Sequence, residues 1–314
     1  MKNKPYIIYL GPDFGFKKSS EVLKEKFILK NISPTKSEFH KHSNYVEGII
    51  DASMKLEFNY ELLNSSKKLK IISCATTGSS HIDSLIVKKN KIELRTLKED
   101  KSLIQNLTPA AELTWALLLA CARKLNIAFE DVKINNWDRE KFPGVMLKGK
   151  TIGIFGCGRI GTWISKYAQA FGMNVIGYDP FIVDNSLINI VDDLDYFRKE
   201  SDFISFHIHL NDKTYGMIDN NFLKKCKKGV ILINTSRGEI FNEKDLISNL
   251  ENNKVASVGV DVLCNEPDII KSDLFKYSQK NDNVLITPHC GGYSPDAVKL
   301  VCEKAAQKIK NYFY

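Results

Sequence analysis

The sequence predicts an α/β protein with doubly wound parallel sheets in two Rossmann-like domains. Short apolar runs of β-type residues alternate with helix-length amphipathic segments, and the alternation occurs twice, over residues 6–73 and again over 151–287. A glycine-rich turn, Gly156-Cys157-Gly158-Arg159-Ile160-Gly161, follows the first strand of the second series. Strands that alternate with helices pair in parallel, so each series should form its own open sheet.

The individual elements follow from the positions of the apolar runs. Predicted strands lie at 6–10, 46–50, 69–73, 151–155, 174–178, 202–207, 229–234, 255–261 and 283–287, and the last six should form one sheet. Predicted helices lie near 18–26, 56–64, 109–125, 160–171, 219–226, 243–251 and 295–312. The helix at 109–125 is apolar nearly all round, which indicates a buried position, and Thr108 is its expected N-cap.

The composition argues against nucleic-acid and membrane partners. The chain has 314 residues and a net charge of +8, and its lysines are dispersed without a basic stripe. The longest apolar stretch, at 115–122, is too short to span a bilayer. The 7 cysteines form no C-x-x-C pair, which indicates reduced thiols and hence a cytoplasmic protein.

The glycine-rich turn predicts a dinucleotide site. Gly156 allows the tight turn, Gly158 lets the backbone approach a pyrophosphate, and Gly161 lets the helix pack against the strand. The helix that follows presents unpaired N–H groups to the phosphates. The next apolar run leads to Asp179, whose carboxylate can accept bonds from ribose hydroxyls and would repel a 2′-phosphate. The expected cofactor is therefore NAD rather than NADP.

The order of the elements predicts the domain organisation. A central NAD-binding domain should occupy residues 108–286, because the second series of strands lies there. The first series precedes it and one helix follows it, so we expect a split substrate domain made of residues 1–107 and 287–314. The chain would cross between the domains twice, and the cleft between them is where a small ligand should bind.

Polar segments follow the last three predicted strands at the points where the strands end. These segments contain Arg237, Glu266 and His289. Ligands of open parallel sheets bind outside the carboxyl ends of the strands, so the three side chains should converge. Taken singly, each has an ordinary alternative: a surface ion pair for the arginine, a turn for the glutamate and a hydrogen-bonded loop position for the histidine.

Several motifs in a fixed order carry a family resemblance. They are Gly156-Cys157-Gly158-Arg159-Ile160-Gly161, Asp179, Asn234-Thr235-Ser236-Arg237-Gly238-Glu239, Gly259-Val260-Asp261-Val262, Glu266-Pro267 and Pro288-His289-Cys290-Gly291-Gly292. With them the chain resembles the D-isomer-specific 2-hydroxyacid dehydrogenases, in particular the phosphoglycerate dehydrogenase and glyoxylate–hydroxypyruvate reductase branch. The resemblance is tight over residues 108–292 and loose before them.

The resemblance implies hydride transfer between nicotinamide and C2 of a small 2-hydroxy or 2-oxo acid. His289 would be the general acid/base, a task that suits histidine because it titrates near working pH. Glu266 would orient His289 and raise its pKa, and Arg237 would bind the substrate carboxylate. Backbone N–H groups of Thr77 and Gly78, in a loop similar to the family's substrate loop, would bind that carboxylate as well.

The cofactor-binding residues implied by the resemblance are spread over several loops. They are Gly156, Gly158, Arg159, Ile160, Gly161, Asp179, His207, Ile208, Thr235, Ser236, Asp261 and Gly291, with Asp261 as the acceptor for the nicotinamide carboxamide. We expect no metal, because His81, His207 and His209 have no ligand spacing to nearby acids. A homodimer formed through the nucleotide domain is expected.

The substrate domain departs from the phosphoglycerate dehydrogenase pattern. Arginines of that branch meet the substrate phosphate, and the matching positions here are Asp51 and Cys74, which disfavours 3-phosphoglycerate unless Lys55 replaces them. His81 stands where the family usually has an amide. Two alternatives stay open: an NAD(H)-sensing regulatory or scaffold protein on the same fold, and a formate dehydrogenase. Glu266 argues against the latter, which has glutamine at that position.

Overall fold

The computed structural model describes residues 4–314, which divide into two compact units. The first unit is the chain up to Leu107 together with Tyr293–Tyr314, and the second is Thr108–Gly292. The chain thus returns to the first unit at Tyr293. The loop before Tyr293 stays with the second unit because hydrogen bonds from Cys290 and Gly291 tie it to Asp261.

Both units are built from alternating strands and helices. The strands, β1 to β12 in chain order, are Tyr6–Leu10, Ile28–Asn31, Gly48–Asp51, Ile71–Cys74, Glu93–Arg95, Thr151–Phe155, Asn174–Tyr178, Asn189–Ile190, Phe203–Phe206, Val230–Asn234, Val255–Val260 and Val284–Ile286. The α-helices, α1 to α13, are Asp13–Leu23, Lys36–His40, Tyr60–Ser65, Ser84–Lys89, Lys101–Gln105, Pro109–Arg123, Leu125–Lys133, Arg159–Ala170, Leu194–Glu200, Asn220–Lys224, Glu243–Glu251, Asp273–Ser278 and Pro295–Phe313. Over residues 4–314 none of these helices is long and apolar enough to cross a bilayer.

The first unit contains a five-stranded parallel sheet in the order β2-β1-β3-β4-β5. Every residue of β3 and β4 is buried, because apolar clusters cover both faces of the sheet. On one face, Ala305 and Ile309 of α13 belong to the same buried cluster as Ile7 and Ile71 of the sheet. The C-terminal helix therefore completes the core of the N-terminal unit.

The second unit contains a seven-stranded parallel sheet in the order β12-β11-β10-β9-β6-β7-β8. The chain winds outward from β6 in both directions, which confirms the doubly wound fold. Apolar clusters cover both faces of this sheet as well. The prediction of six strands is wrong by one, because β8 is an edge strand of 2 residues and forms no apolar run. This order puts β10, β11 and β12 side by side.

Smaller differences from the predicted elements have local causes. β2 and β5 lie outside the predicted strands because both are edge strands with exposed positions and no continuous apolar run. α6 ends at Arg123, since Lys124 adopts a left-handed φ of 52° before α7. Thr108 occupies the N-cap position of α6, but its hydroxyl donates to Glu112 instead of capping a backbone N–H group.

Candidate active site

The carboxyl ends of three neighbouring strands meet at one edge of the seven-stranded sheet. β11 pairs in parallel with both β10 and β12. Arg237 lies in the loop after β10, Glu266 in the loop after β11, and His289 in the loop after β12. Side chains that are far apart in the sequence are thereby brought to the same edge.

A short hydrogen bond joins two of these residues. His289 Nδ1 lies 2.5 Å from Glu266 Oε2, and the other carboxylate oxygen accepts the N–H group of Leu263 at 2.6 Å. Because a carboxylate can only accept, Nδ1 carries the proton and Nε2 is left for another partner. The His289 side chain is 51% exposed and that of Glu266 is 29% exposed, so the imidazole is accessible while its partner is held in place.

The pair shifts the pKa of both groups. The hydrogen bond to Glu266 raises the pKa of His289 above its ordinary 6.5, although partial burial and the positive charge of Arg237 act against it. Burial acts to raise the pKa of Glu266, but hydrogen bonds from His289 and Leu263, together with the charges of His289 and Arg237, hold it below its ordinary 4.5. The charge of Arg237 therefore acts on both members of the pair. The result is a histidine that keeps its proton to a higher pH than a free imidazole.

Asp261 holds the loop that carries His289. One of its carboxylate oxygens accepts from Thr287 Oγ1 at 2.6 Å and from the Cys290 N–H group at 2.9 Å, and the other accepts the Gly291 N–H group at 2.7 Å. Asp261 is 2% exposed, so these bonds are shielded from water. His289 lies between Thr287 and Cys290 in the chain and adopts a left-handed φ of 52°. Few non-glycine residues adopt this conformation without support. The predicted bond from Asp261 to a nicotinamide carboxamide stays a prediction.

A buried amide shapes the loop that carries Arg237. Asn234 ends β10 with 0% exposure, and its Oδ1 accepts both the N–H and the hydroxyl group of Ser236. Its Nδ2 donates to the Arg237 carbonyl at 2.8 Å. Arg237 is exposed and its Nη1 donates to the Ser236 carbonyl, which leaves further N–H groups for an anion. Asn234 was given no separate role by the sequence, although an asparagine two residues before a serine at a strand end is typical of such turns.

The predicted dinucleotide turn lies between β6 and α8. Gly156 has a φ of 97°, and a Cβ there would lie 2.5 Å from the carbonyl oxygen of His207. A Cβ at Gly161 would collide with the carbonyl oxygen of Gly156. By contrast, a Cβ at Gly158 would meet nothing within 4 Å, and no side chain caps the N-terminus of α8 there. Open space beside the N-terminus of a 12-residue helix fits a pyrophosphate.

The remaining predicted cofactor residues border this turn or the strand ends. Asp179 follows β7, and its carboxylate accepts N–H groups of Cys157 at 2.9 Å and of Phe181 at 2.9 Å. The His207 ring bonds Ser205 Oγ at 2.8 Å, and burial lowers the pKa of this histidine to about 3. Residues of the predicted set with simpler placements are Arg159 and Ile160 in the first turn of α8, Ile208 beside Gly156, and Thr235, whose hydroxyl lies 2.7 Å from that of Thr114.

The predicted substrate loop lies in the first unit, after β4, whereas the other predicted site residues lie in the second. Thr77 is exposed and Gly78 is half-buried. Within the part of the chain that the structure describes, the N–H groups of these two residues donate no hydrogen bond. They are therefore the groups in this loop that an anion could use.

His81 has an acidic partner in space, and the expectation of no metal stays a prediction. His81 Nε2 lies 2.6 Å from Oδ2 of Asp51, which is 30 residues away along the chain. The Cys74 thiol completes a cluster in which the three potential ligand atoms lie within 4.8 Å of one another. Spacing along the chain does not reveal this cluster because Asp51 ends β3, Cys74 ends β4, and His81 follows in the loop.

Comparisons with known proteins give a consistent result. Residues 115–291 match the family described as D-isomer specific 2-hydroxyacid dehydrogenase, NAD binding domain. Hydroxypyruvate reductase of Thermotoga maritima is 36% identical over 251 residues, which cover 79% of this chain and 79% of that protein. D-3-phosphoglycerate dehydrogenase of Methanocaldococcus jannaschii is 35% identical over 254 residues, which cover 80% of this chain and 47% of that protein. The chain thus spans about half the length of the phosphoglycerate dehydrogenases that it matches.

A solved structure extends the comparison to both units. The crystal structure of D-lactate dehydrogenase from Aquifex aeolicus complexed with NAD and lactic acid is 27% identical, with a TM-score of 0.78. The match covers 98% of this chain and 95% of that one. Both the seven-stranded unit with its glycine turn and the five-stranded unit therefore have counterparts in one known fold. The chain belongs to the family of D-isomer-specific 2-hydroxyacid dehydrogenases.

Proposed function

We propose that the chain is an NAD-dependent oxidoreductase that transfers a hydride between nicotinamide and C2 of a small 2-hydroxy or 2-oxo acid. The observation that carries this proposal is the 2.5 Å bond between His289 and Glu266, at the carboxyl edge of the sheet that also holds the glycine turn. The relatives named above, a hydroxypyruvate reductase and a D-lactate dehydrogenase, support the reaction class. They do not favour the alternative of an NAD(H) sensor or scaffold.

Three residues of the second unit have separate roles in the proposed reaction. When bound, NAD supplies or accepts the hydride. His289 Nε2 donates a proton to the carbonyl oxygen during reduction and takes it back during oxidation. Glu266 holds the imidazole through Nδ1 and stabilises its protonated form. Arg237 binds the substrate carboxylate, because a planar guanidinium matches it with two parallel bonds.

A second set of donors for the substrate carboxylate is proposed in the first unit. The N–H groups of Thr77 and Gly78 fit that task because nothing within residues 4–314 accepts a hydrogen bond from them. Adjacent backbone N–H groups can form a concave anion site. Such donors would distinguish a carboxylic acid from a neutral carbonyl compound.

The cofactor is proposed to lie along the loops that follow β6, β7, β9, β10, β11 and β12. The pyrophosphate would bind at the N-terminus of α8, where Gly158 leaves open space. Asp179 would accept bonds from the adenosine ribose, because its carboxylate keeps unused lone pairs beyond the backbone N–H groups that it accepts. A 2′-phosphate would be repelled there, so we propose NAD rather than NADP.

We propose an unphosphorylated 2-oxo acid, such as glyoxylate or hydroxypyruvate, as the substrate. The positions that match the phosphate-binding arginines hold no cation: Asp51 is bonded to His81, and burial raises the pKa of the Cys74 thiol to about 12, which keeps it neutral. Neither Asp51 nor Cys74 can therefore supply the positive charge that a phosphate dianion would need.

The test is a substrate panel. Purified protein is mixed with NADH and with each of a set of 2-oxo acids, phosphorylated and unphosphorylated, and absorbance reports NADH consumption. We expect turnover with an unphosphorylated acid and a much lower kcat/KM with NADPH. Tight NADH binding without turnover on any acid would favour the sensor alternative instead, and a preference for a phosphorylated acid would contradict the substrate proposal.

We also propose a homodimer formed through the second unit, in the cytoplasm. α7 and the segment after it present large exposed apolar side chains: Phe129, Val132, Ile134, Trp137 and Met146. A contiguous set of this kind in one segment is typical of an interface. Sedimentation should show a dimer that Trp137→Asp weakens. Phe181→Asp changes an equally exposed aromatic side chain elsewhere in the unit and should leave the dimer intact.

Cell fractionation of the tagged protein tests the proposed cytoplasmic location.

A further inference from the structure

A buried aspartate–histidine pair lies at the carboxyl edge of the five-stranded sheet. Asp51 ends β3 with a side chain that is 0% exposed, and the His81 side chain is 10% exposed. Nε2 of His81 lies 2.6 Å from Oδ2 of Asp51, and because the carboxylate can only accept, Nε2 is the donor. A buried carboxylate that loses its hydrogen-bond donor is strongly destabilised. The bond to Asp51 therefore holds the His81 ring in one position.

The second oxygen of Asp51 fixes a neighbouring turn. Oδ1 accepts the N–H group of Ser53 at 3.0 Å, its hydroxyl at 3.0 Å, and the N–H group of Met54 at 3.2 Å. Met54 then adopts a left-handed φ of 54°, and its Cε is the atom that a Cβ placed on Gly78 would meet, at 3.9 Å. One carboxylate therefore orients a side chain beside Gly78 while it holds the ring of His81.

The loop between Cys74 and Ile82 is held by main-chain bonds, one of which runs from the Leu97 N–H group to the Thr76 carbonyl at 2.9 Å. At its start, the Ala75 N–H group donates to the carbonyl of Asp51 at 2.8 Å, and at its end the carbonyl of His81 accepts from the Phe58 N–H group at 2.8 Å. Thr76 Oγ1 donates to the Gly78 carbonyl at 2.7 Å, within the loop. The ring of His81 is thus the side chain that ties the far end of this loop to the edge of the sheet.

We infer that His81 and Asp51 are positioning residues for the substrate loop, and that their bond sets the conformation in which Thr77 and Gly78 present their N–H groups to a carboxylate. This inference rests on the proposed function. Hydrogen bonds to a carboxylate are directional. If loss of the bond between His81 and Asp51 moves the substrate loop, that loop binds the acid less well. The glycine turn and His289 belong to the second unit, whereas the changed bond lies within the first.

The test compares substrate binding with the other kinetic properties. His81→Ala should raise KM for the best 2-oxo acid about tenfold or more, with a much smaller effect on kcat and an unchanged Kd for NADH. His81→Gln should restore most of the affinity, because its amide N–H group can donate to Asp51. His40→Ala is the matched control: that histidine also lies in the first unit, is 41% exposed, and has Glu61 at 3.9 Å, so KM should not change.

Further variants keep the result interpretable. If His81→Ala unfolds, Asp51→Asn keeps the size of the side chain and should raise KM in the same way. An active wild-type protein whose KM is unchanged by His81→Ala would overturn this inference alone, as would an equal loss of kcat and of NADH affinity. A wild-type protein inactive on every acid would overturn the proposed function together with the inference. Elemental analysis tests the alternative that these side chains bind a metal. A stoichiometric metal that is present in the wild-type protein and lost in His81→Gln would assign Asp51, Cys74 and His81 to a metal site instead.

Discussion

The hydrogen bond from His289 Nδ1 to Glu266 Oε2, at 2.5 Å, joins the loops that follow two adjacent strands, β12 and β11. It fixes which nitrogen of the imidazole is occupied and which faces outward. It also raises the pKa of His289 above 6.5. These consequences suit a group that delivers a proton near neutral pH.

Replacing the histidine tests its role as the proton donor. His289→Ala should lower kcat by a factor of about 10² to 10⁴, the range for loss of a general acid, while the Kd for NADH stays unchanged. Steady-state kinetics and fluorescence titration with NADH measure the two quantities. His40→Ala, at an exposed histidine of the first unit, should keep full activity. Full activity in the His289 variant would contradict the assignment.

The pH dependence of kcat/KM tests the role of Glu266 as the partner of His289. Reduction needs protonated His289, so kcat/KM for the 2-oxo acid should fall as the pH rises through the pKa of this histidine, which lies above 6.5. Glu266→Gln removes the carboxylate that raises this pKa, so the falling limb should move to lower pH. In the oxidation direction, activity should instead rise with pH, and the variant's rising limb should likewise shift downward. Identical profiles for both proteins would contradict the coupling.

Asp261 accepts hydrogen bonds from the loop after β12, so replacing it should affect both stability and turnover. Asp261→Asn replaces one carboxylate oxygen with an NH₂ group, which faces either the Gly291 N–H group or the donors of Cys290 and Thr287, at a position that is 2% exposed. We expect a loss of about 1–3 kcal/mol in the free energy of unfolding, measured in urea, and a lower kcat. Thr287→Val removes one of the bonds to Asp261 and should show a smaller loss of both.

The choice between NADH and NADPH tests the role of Asp179. Asp179→Asn keeps an acceptor for the Phe181 N–H group but removes the negative charge. The ratio of kcat/KM with NADPH to that with NADH should rise about tenfold or more, since repulsion of the 2′-phosphate is relieved. Asp184→Asn, an exposed position in the same loop, should leave the ratio unchanged. A ratio that does not respond to loss of the Asp179 charge would count against the ribose assignment.

The sequence predicted the buried strands and the edge strand β12, but not the other three edge strands. β3, β4 and β10 are buried along their whole length and appear as apolar runs. β2, β5 and β8 are edge strands with exposed positions, and their pairing depends on a neighbouring strand rather than on their own residues. Local patterns therefore report burial, and only tertiary structure defines where a sheet ends.

The same distinction applies to the site. The positions of Arg237, Glu266 and His289 could be inferred because parallel topology puts strand ends at one edge. The bond from Asp51 to His81 could not, since it joins residues whose chain separation carries no signal. The bonds from Asp261 to the loop after β12 were likewise hidden, because they depend on how two loops pack.

Direct transfer of a hydride from nicotinamide to C2 of the acid is the step on which the proposed function depends. It is tested most directly with NADH deuterated at both C4 positions, a 2-oxo acid from the panel, and mass spectrometry of the product. We expect a 2-hydroxy acid that carries a single deuterium, bound at C2. A product without deuterium, or label at another carbon, would contradict it.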